Sequence, residues 1–512
     1  MYYQGIVIVG GFFSFFAAMG IGANDVANAY ATAVGSKALT IKQAVVLASV
    51  FETGGAILMG SHVSKTIRKG IADYECFAGD EAPLMYGCMS VCLCVGLWLF
   101  VASKYEMPVS TTHSCVGGMI GMTVAIKGVR CVNWYEEKEY FPYVGGVSGI
   151  ILSWFISPIF SAIISSTLYG IIRGVILRSN NSFKRATYLF PLLIGGAISL
   201  NSFFIIYKGA KGLGLHETPL VVACAWSFGL GTGSAILITP FLPQIANHCR
   251  ENNKNSNSTS NSNKEVTKKS SINDDNVEVM IENTTLQNDD NNINMTNKFI
   301  DYINASLKVN IDDVISKNEK VNSIHENAEV FSCETEEFFK YIQVFTAICD
   351  SFSHGANDVA NAVGPFMAIY MISKEGVVEK DNDLGSDAYW ILSIGGAGIS
   401  LGLFIYGYKI LHAIGSKLCK ITPSRGSSIE LSSAIVIICG SRLEIPLSTT
   451  HCQIGATIGV AALEDPYSCK GINLLIVYKC IAGWVVTLIV VGCTSALLTA
   501  QGVYTPEVGD QC

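Results

Sequence analysis

The sequence predicts an all-α polytopic membrane protein of about twelve transmembrane helices in two inverted-topology repeats, and three observations carry that prediction. Half of its 512 residues are hydrophobic and only 15% are charged, with 49 glycines and a mean hydropathy of +0.39, a balance foreign to soluble globular domains. Apolar stretches of the length that crosses a bilayer as helix recur along the chain. Two sequence blocks occur twice, far apart. Net charge is −7, so the basic bias that nucleic acid demands is missing and that class of partner is excluded.

The apolar stretches begin near residues 5, 42, 84, 108, 143, 187, 219, 338, 389, 429, 446 and 473. The first, MYYQGIVIVGGFF, lacks the basic start and small-residue cleavage site of a signal peptide, so it is kept as a span. Cys88, Cys92, Cys94, Cys349, Cys439 and Cys493 sit inside apolar runs, where cysteine behaves as a small hydrophobe. Orientation follows from short loops rich in Lys and Arg. Arg173, Arg178, Lys184 and Arg185, and again Lys409, Lys417, Lys420 and Arg425, come without acids and are placed in the cytoplasm. Counting outward puts the acidic loop from Lys374 to Asp387 and both termini outside. The loop with Lys65, Arg68 and Lys69 then falls outside, against the rule.

Residues 246–337 change abruptly to an Asn-, Ser-, Lys- and Asp-rich composition, which reads as a disordered cytoplasmic loop. It separates an N-terminal transmembrane half with its following spans, residues 1–245, from a C-terminal half, residues 338–512. Sequons such as those at Asn257 and Asn283 would then never meet the glycosylation machinery.

The repeat is the strongest signal. GANDVANA at residues 22–29 recurs letter for letter at 355–362, and PVSTTHSCVGGMIG from Pro108 returns as PLSTTHCQIGATIG from Pro446. The offsets, 333 and 338 residues, are nearly equal. Seven spans separate the two starts, so the halves face opposite ways, as in secondary transporters whose site forms near the midplane on broken helices.

Asp25 and Asp358 lie inside apolar spans, where a carboxylate costs at least about 2.5 to 3.5 kcal/mol unless it faces a cavity or partner. With Asn24, Asn28, Asn357 and Asn361 they offer hard oxygen ligands suited to Na+ or a proton, and Na+ is assigned to Asn24, Asp25, Asn357 and Asp358. Gly22, Ala29 and Gly355 serve equally well for close helix packing. Ser110, Thr111 and Thr112, and Ser448, Thr449 and Thr450, follow prolines and open Gly-rich helices. Free N–H groups, hydroxyls and the helix dipole at such starts suit an oxyanion, and two facing starts would hold a tetrahedral anion without Lys or Arg. Plain surface N-caps are the alternative. His113 and His451 read as structural support. His354, opposite Ile21 in the other copy, falls outside the symmetric site. Glu52 and Glu430 are intramembrane carboxylates whose aligned counterparts are Ser393 and Cys92, which suits coupling-ion binding or gating.

GANDVANA and P[VL]STTH, each present twice, resemble the inorganic phosphate transporter (PiT) family of sodium- or proton-dependent symporters, over residues 5–245 and 338–500. The resemblance implies phosphate import by cation symport, Na+-coupled first and proton-coupled second, extracellular termini, a homodimer, a multi-pass protein of the plasma membrane and no cofactor. It places phosphate and its ions at Asp25, Asn28, Ser110, Thr111, Thr112, Asp358, Asn361, Ser448, Thr449 and Thr450, and matches Glu52 and Glu430 to acidic positions that matter for transport. Sulfate is the rival substrate, separated from phosphate by the proton that phosphate can donate to Asp25 or Asp358. An intramembrane hydrolase using Ser110 or Ser448 with His113 or His451 is a remote alternative.

Overall fold

The computed structural model describes residues 3–139, 142–207, 214–253, 319–378, 384–407, 418–464 and 471–505. Most of the Asn-rich tract, residues 254–318, lies outside them, as do Lys409, Lys417, Glu379, Asp381 and Asp383. The described edges of the tract are helical: residues 242–253 continue the preceding span and Glu319–Asn327 forms a short helix.

The chain is helical almost throughout. We number the long helices α1 (Gln4–Asn24), α2 (Val26–Gly35), α3 (Ile41–Lys69), α4 (Glu81–Lys104), α5 (Thr111–Lys127), α6 (Gly146–Ile172), α7 (Ser182–Ile206) and α8 (Leu220–Ile238), then α9 (Cys333–Glu375), α10 (Asp387–Gly402), α11 (Pro423–Arg442), α12 (Thr449–Ala462) and α13 (Leu474–Tyr504). Eight helical segments among the described residues are long and apolar enough to cross a membrane. The four remaining apolar stretches of the sequence are α5, α9, α11 and α12, and these carry most of the candidate site residues. Polar side chains lower the hydropathy of α9 and α11, while α5 and α12, at 17 and 14 residues, reach only about 25 and 21 Å.

Those two are short because the backbone turns inward before helix begins. After α4 and α11 the chain bends at Glu106 and Glu444, both with positive φ, and runs back to Ser110 and Ser448, which cap α5 and α12 by accepting from the N–H groups of His113 and His451. Ser110, Thr111, Ser448 and Thr449 are 1% exposed. The caps are therefore deep in the protein and are not surface caps.

Helix directions follow from backbone contacts. Ser14 donates to the Ala362 carbonyl and Gly10 packs on Ile369 and Phe366, so α1 and α9 run antiparallel and the two GANDVANA copies cross. α3 runs parallel to α9, with Gly55 on Phe352 and Gly364 on Ile67. α5 lies along α13 and α12 along α6, again in parallel, through Gly117, Gly121, Gly455 and Gly459. The two copies differ in one respect. The first is interrupted at Asp25, between α1 and α2, whereas the second runs unbroken through Asp358 inside the 43-residue α9. The expectation of broken helices is met by no more than this one-residue interruption, where Asp25 keeps a right-handed helical backbone and its N–H still bonds the Ile21 carbonyl at 2.8 Å. Asn24 explains the break: its amide donates to Ser103 Oγ and the Met107 carbonyl, both at 3.0 Å, and accepts from Val109 N–H at 3.1 Å, so the chain is fastened to the α4–α5 turn where α1 ends.

Each helical hairpin is closed at its base by a different device. Cys76, before α4, is disulfide-bonded to Cys131, after α5, a pairing not anticipated from the sequence. Removing it (Cys76→Ser with Cys131→Ser) is expected to lower stability by up to about 4 kcal/mol for a loop this long. Thermal denaturation in detergent, with and without reductant, measures it; an unchanged midpoint would refute the role. At the opposite end Arg425, 1% exposed, meets Glu464 at 2.7 Å. Glu329 completes this base: its N–H donates to Glu464 Oε2 at 2.9 Å, its carbonyl accepts from Arg425 at 2.8 Å, and its carboxylate accepts from Arg173 at 2.8 Å and Arg178 at 3.0 Å.

Hydrogen bonding from Arg178, with Arg173 adding to it, holds the Glu329 carboxyl below its ordinary 4.5. A lowered carboxyl contributes stability that is present above the ordinary value and is lost as pH falls through the lowered one. The gap in thermal midpoint between the wild type and Glu329→Gln is expected to reflect about 1 kcal/mol at neutral pH, as befits a carboxylate 30% exposed, and to close as pH falls below the ordinary carboxyl value and through the lowered one. A gap that persists there would show that the carboxylate charge is not what matters.

Candidate functional site

The site forms where the α1–α2 break, the middle of α9 and the two inner helix starts converge. Asp25 accepts from Thr111 at 2.8 Å and Thr450 at 2.9 Å, and the Thr449 hydroxyl oxygen lies 3.3 Å away. Asp358 accepts from Thr449 at 2.7 Å and from Asn361 at 3.2 Å. Asn361 also donates to Thr111 and Thr112. Thr111 and Thr450 come from opposite halves of the chain, so neither half could build this cluster alone.

The helix starts also hold one another. Ser448 donates to Ser110 at 2.9 Å, Thr112 donates to the Leu447 carbonyl at 2.7 Å, and the Thr450 hydroxyl oxygen lies 3.4 Å from the carbonyl oxygen of Val109. This symmetric joint places four threonine hydroxyls and two uncharged helix N-termini around the carboxylate pair. Hydroxyls donate to carboxylates here and could donate equally to another oxyanion. Such an anion beside Asp25 and Asp358 is repelled unless a cation or proton neutralises them.

His354 stands at the centre, contrary to its exclusion on symmetry grounds. Its Nε2 lies 2.9 Å from Asp358 Oδ2 and 3.9 Å from Asp25 Oδ1, and its Nδ1 lies 2.8 Å from Glu52 Oε2. Asp25, His354 and Asp358 each bring a ligand atom within 4.8 Å of the others, all buried. Position i−4 from Asp358 shares its helix face, and that spacing is the signal that would have found it. The structure also corrects the alignment at Glu52. Gly355 abuts the Glu52 backbone and Gly22 abuts that of Ile399, so Ile399, and not Ser393, is the counterpart of Glu52. The pair Glu52–His354 is thus matched by Ile399 and Ile21, both buried in one apolar cluster. The asymmetry is a whole polar pair exchanged for an apolar one.

The remaining candidates divide. Asn24 has its amide committed to the α4–α5 turn, and Asn357 donates to Ser441 in the α11 equivalent at 3.2 Å; the structure brings neither into the carboxylate cluster through these bonds. The side chain of Asn28 lies outside the described residues. Glu430 is held apart from the centre by Thr32 at 2.6 Å, Thr346 at 2.6 Å and Gln343 at 3.0 Å, and none of these three partners was singled out in the sequence. Gln343, Thr346, Asp350, His354, Asp358 and Asn361 follow one another at three- and four-residue spacing along α9 and are all buried, a polar stripe leading from Glu430 to the centre. His113 stacks on Trp154 and His451 packs against Trp484, each at 3.6 Å. His451 Nδ1 faces the Trp154 carbonyl. Both imidazoles wedge the joint between the helix starts, as support residues would.

Comparison with known proteins agrees with this geometry. The family model described as phosphate transporter family matches residues 21–495. The phosphate-repressible phosphate permease of Neurospora crassa is 28% identical, covering 98% of each chain. The chloroplastic inorganic phosphate transporter 2-1 of Arabidopsis thaliana is 31% identical over 95% of this chain and 70% of its own, and sodium-dependent phosphate transporter 1 of Mus musculus is 26% identical over 94% and 92%. A solved structure of a sodium-dependent phosphate transporter superposes with a TM-score of 0.71 at 29% identity, covering 97% of this chain and 98% of that one. With its two hydroxyl-bearing helix starts closed around paired carboxylates, this multi-pass membrane protein is a transporter and not an enzyme, and it belongs to the phosphate transporter family.

Proposed function

We propose that the protein imports inorganic phosphate by Na+ symport, with alternating access around the buried site between its two halves. The observation that carries this reading is the cluster of Thr111, Thr449 and Thr450 on Asp25 and Asp358. Phosphate takes the hydroxyls and helix N-termini of Ser110–Thr112 and Ser448–Thr450, and Asn28 and Asn361 serve it as well; the cation takes the carboxylates of Asp25 and Asp358. Asn361 and Asn357 each carry a buried amide oxygen without a hydrogen-bond partner, the kind of hard ligand that Na+ uses, and Asn24 with Asn357 fixes the turns that shape the site. Glu52 and Glu430 serve coupling or gating. A proton is the second candidate for coupling ion, because His354 lies between Glu52 and Asp358.

Residues 1–245 and 338–512 make two halves of inverted topology within about twelve membrane-embedded helices, the antiparallel crossing of α1 and α9 supporting the inversion. Residues 246–337 join them in the cytoplasm. Disulfides persist in oxidising compartments, which supports an extracellular position for the Cys76–Cys131 end and for both termini in the plasma membrane. Arg68, in the loop that offended the charge rule, is 3% exposed and turned onto Met371, so it counts little as a loop charge. Assembly as a homodimer belongs to the same reading.

Uptake of labelled phosphate into proteoliposomes tests the function. Accumulation driven by an inward Na+ gradient, reduced by Thr111→Ala and unaffected by excess sulfate, is expected. Accumulation under a proton gradient alone would transfer the coupling to protons, and uptake of sulfate in place of phosphate would overturn the substrate.

A further inference from the structure

We propose that the end of the molecule opposite the disulfide carries a second anion site, a basic cavity for a phosphorylated headgroup or a free polyphosphate, connected through Glu329 to the base of the α11–α12 hairpin. The proposal rests on the orientation given above, which makes this end cytoplasmic, and is independent of the transport site.

The cavity has a volume of about 760 Å³, and its charged lining is Arg178, Lys184 and Arg250 with Glu329 and Glu334. Lys184 and Arg250 rest on rings: the Lys184 ammonium lies 6.0 Å from the centre of Tyr188 and the Arg250 guanidinium 5.0 Å from that of Phe183. Of the two acids, Glu334 accepts from Asn253 and Glu329 is shared between Arg178 and Arg173, the latter standing outside the cavity wall. The cavity therefore keeps a positive excess. Its floor, Ser179 to Ser182, leads into α7, whose N-cap Asn181 makes no side-chain cap bond and whose first turn has no acid. Free N–H groups there add to the attraction for an anion.

The Glu329 carboxylate on Arg178 shows how this wall receives anionic oxygens. A phosphoryl group carries more charge and more acceptor oxygens, and it competes with Glu329 for Arg178. Because the Glu329 backbone is bonded to Arg425 and Glu464, drawing Arg178 away removes one arm of the clamp on the hairpin base. Basic pockets between helices on the cytoplasmic side of membrane proteins suit phosphoinositide headgroups, so a lipid and a soluble polyphosphate share the required chemistry.

The test uses the full chain in neutral phosphatidylcholine nanodiscs with saturating inorganic phosphate and Na+, so that the transport site stays filled. Short-chain phosphatidylinositol bisphosphate and tripolyphosphate are titrated separately and binding is read by thermophoresis. Saturable binding, weakened about thirtyfold by Lys184→Gln with Arg250→Gln and tightened by Glu329→Gln, is expected. Binding of the lipid alone assigns the site to a headgroup, and competition between the two probes assigns it to the phosphoryl groups as such; both support the site. Absence of saturation with either probe, or equal binding by the double variant, overturns it. Unchanged phosphate uptake by the double variant in neutral liposomes shows that it is folded, and a wild-type protein that binds the probes saturably but accumulates no phosphate would strike at the proposed transport reading without touching this one.

Discussion

Asp25→Asn is expected to abolish Na+-driven phosphate accumulation, by a factor of a hundred or more, while leaving a folded protein. Asp25 accepts from the hydroxyls of Thr111 and Thr450, the second from the half of the chain that does not contain it. Hydrogen bonds to a charged acceptor contribute about 1.5 to 3 kcal/mol each, and an amide of the same shape presents N–H groups where one of these hydroxyls needs an acceptor. The larger loss is the charge. With Asp25 neutral, the field that draws a cation next to the phosphate is halved, and an anion no longer requires one. Phosphate binding in the variant should therefore lose its dependence on Na+, which calorimetry in Na+ against choline would show. Uptake and binding together decide the matter. Uptake at wild-type rates, or lost uptake with fully Na+-dependent phosphate binding, would mean that Asp25 does not carry the coupling charge. Asp358→Asn should behave alike, with the added release of His354, whose Nε2 lies 2.9 Å from that carboxylate.

Much of this site was legible because a repeated motif exposes its own logic. A carboxylate inside an apolar span and a Pro-x-Ser-Thr-Thr run are each ambiguous, but their recurrence at nearly equal offsets makes them one unit used twice, and the structure brings the two units to a single point. What stayed hidden is what the repeat does not repeat. His354 was set aside against Ile21, because a comparison of halves discards a residue present once, and Glu52, aligned with Ser393, was kept as a candidate but without its partner. Their meaning appears only when α3 is seen to pass α9 at the level of Gly355, so that the two polar residues meet. The cysteines misled for a related reason. Most are buried hydrophobes, and Cys76 and Cys131, 55 residues apart, become neighbours only because α4 and α5 return to the same end of the molecule. Thr32, Gln343 and Thr346 were passed over because single polar residues in apolar helices carry no sequence signature until a buried Glu430 requires their hydrogen bonds.

The glycines of the motif were open to two readings, a part in the site or a contact between helices, and the structure favours contact strongly enough to predict a collapse. A Cβ built on Gly22 would lie 1.8 Å from the Ile399 carbonyl oxygen, on Gly355 2.1 Å from that of Glu52, and on Gly55 2.0 Å from that of Phe352. In each case the obstacle is backbone, which has no rotamer to change, so the helix axes themselves must part. Overpacking of a core costs about 1 to 3 kcal/mol where side chains can yield, and here the expectation sits at or above the upper end. For Gly355→Ala the displaced backbone is that of Glu52, so the His354 contact is lost with the packing. Gly54 supplies the control one residue away on the same helix: nothing lies within 4 Å of its Cβ position, and Ala there is neutral or favours the helix by up to about 1 kcal/mol. Size-exclusion chromatography of tagged variants should show Gly22→Ala, Gly55→Ala and Gly355→Ala largely lost to aggregate and Gly54→Ala monodisperse at wild-type yield. If Gly55→Ala were as well behaved as Gly54→Ala, α3 and α9 would not be in backbone contact, and the placement of Glu52 beside His354 would fall with it.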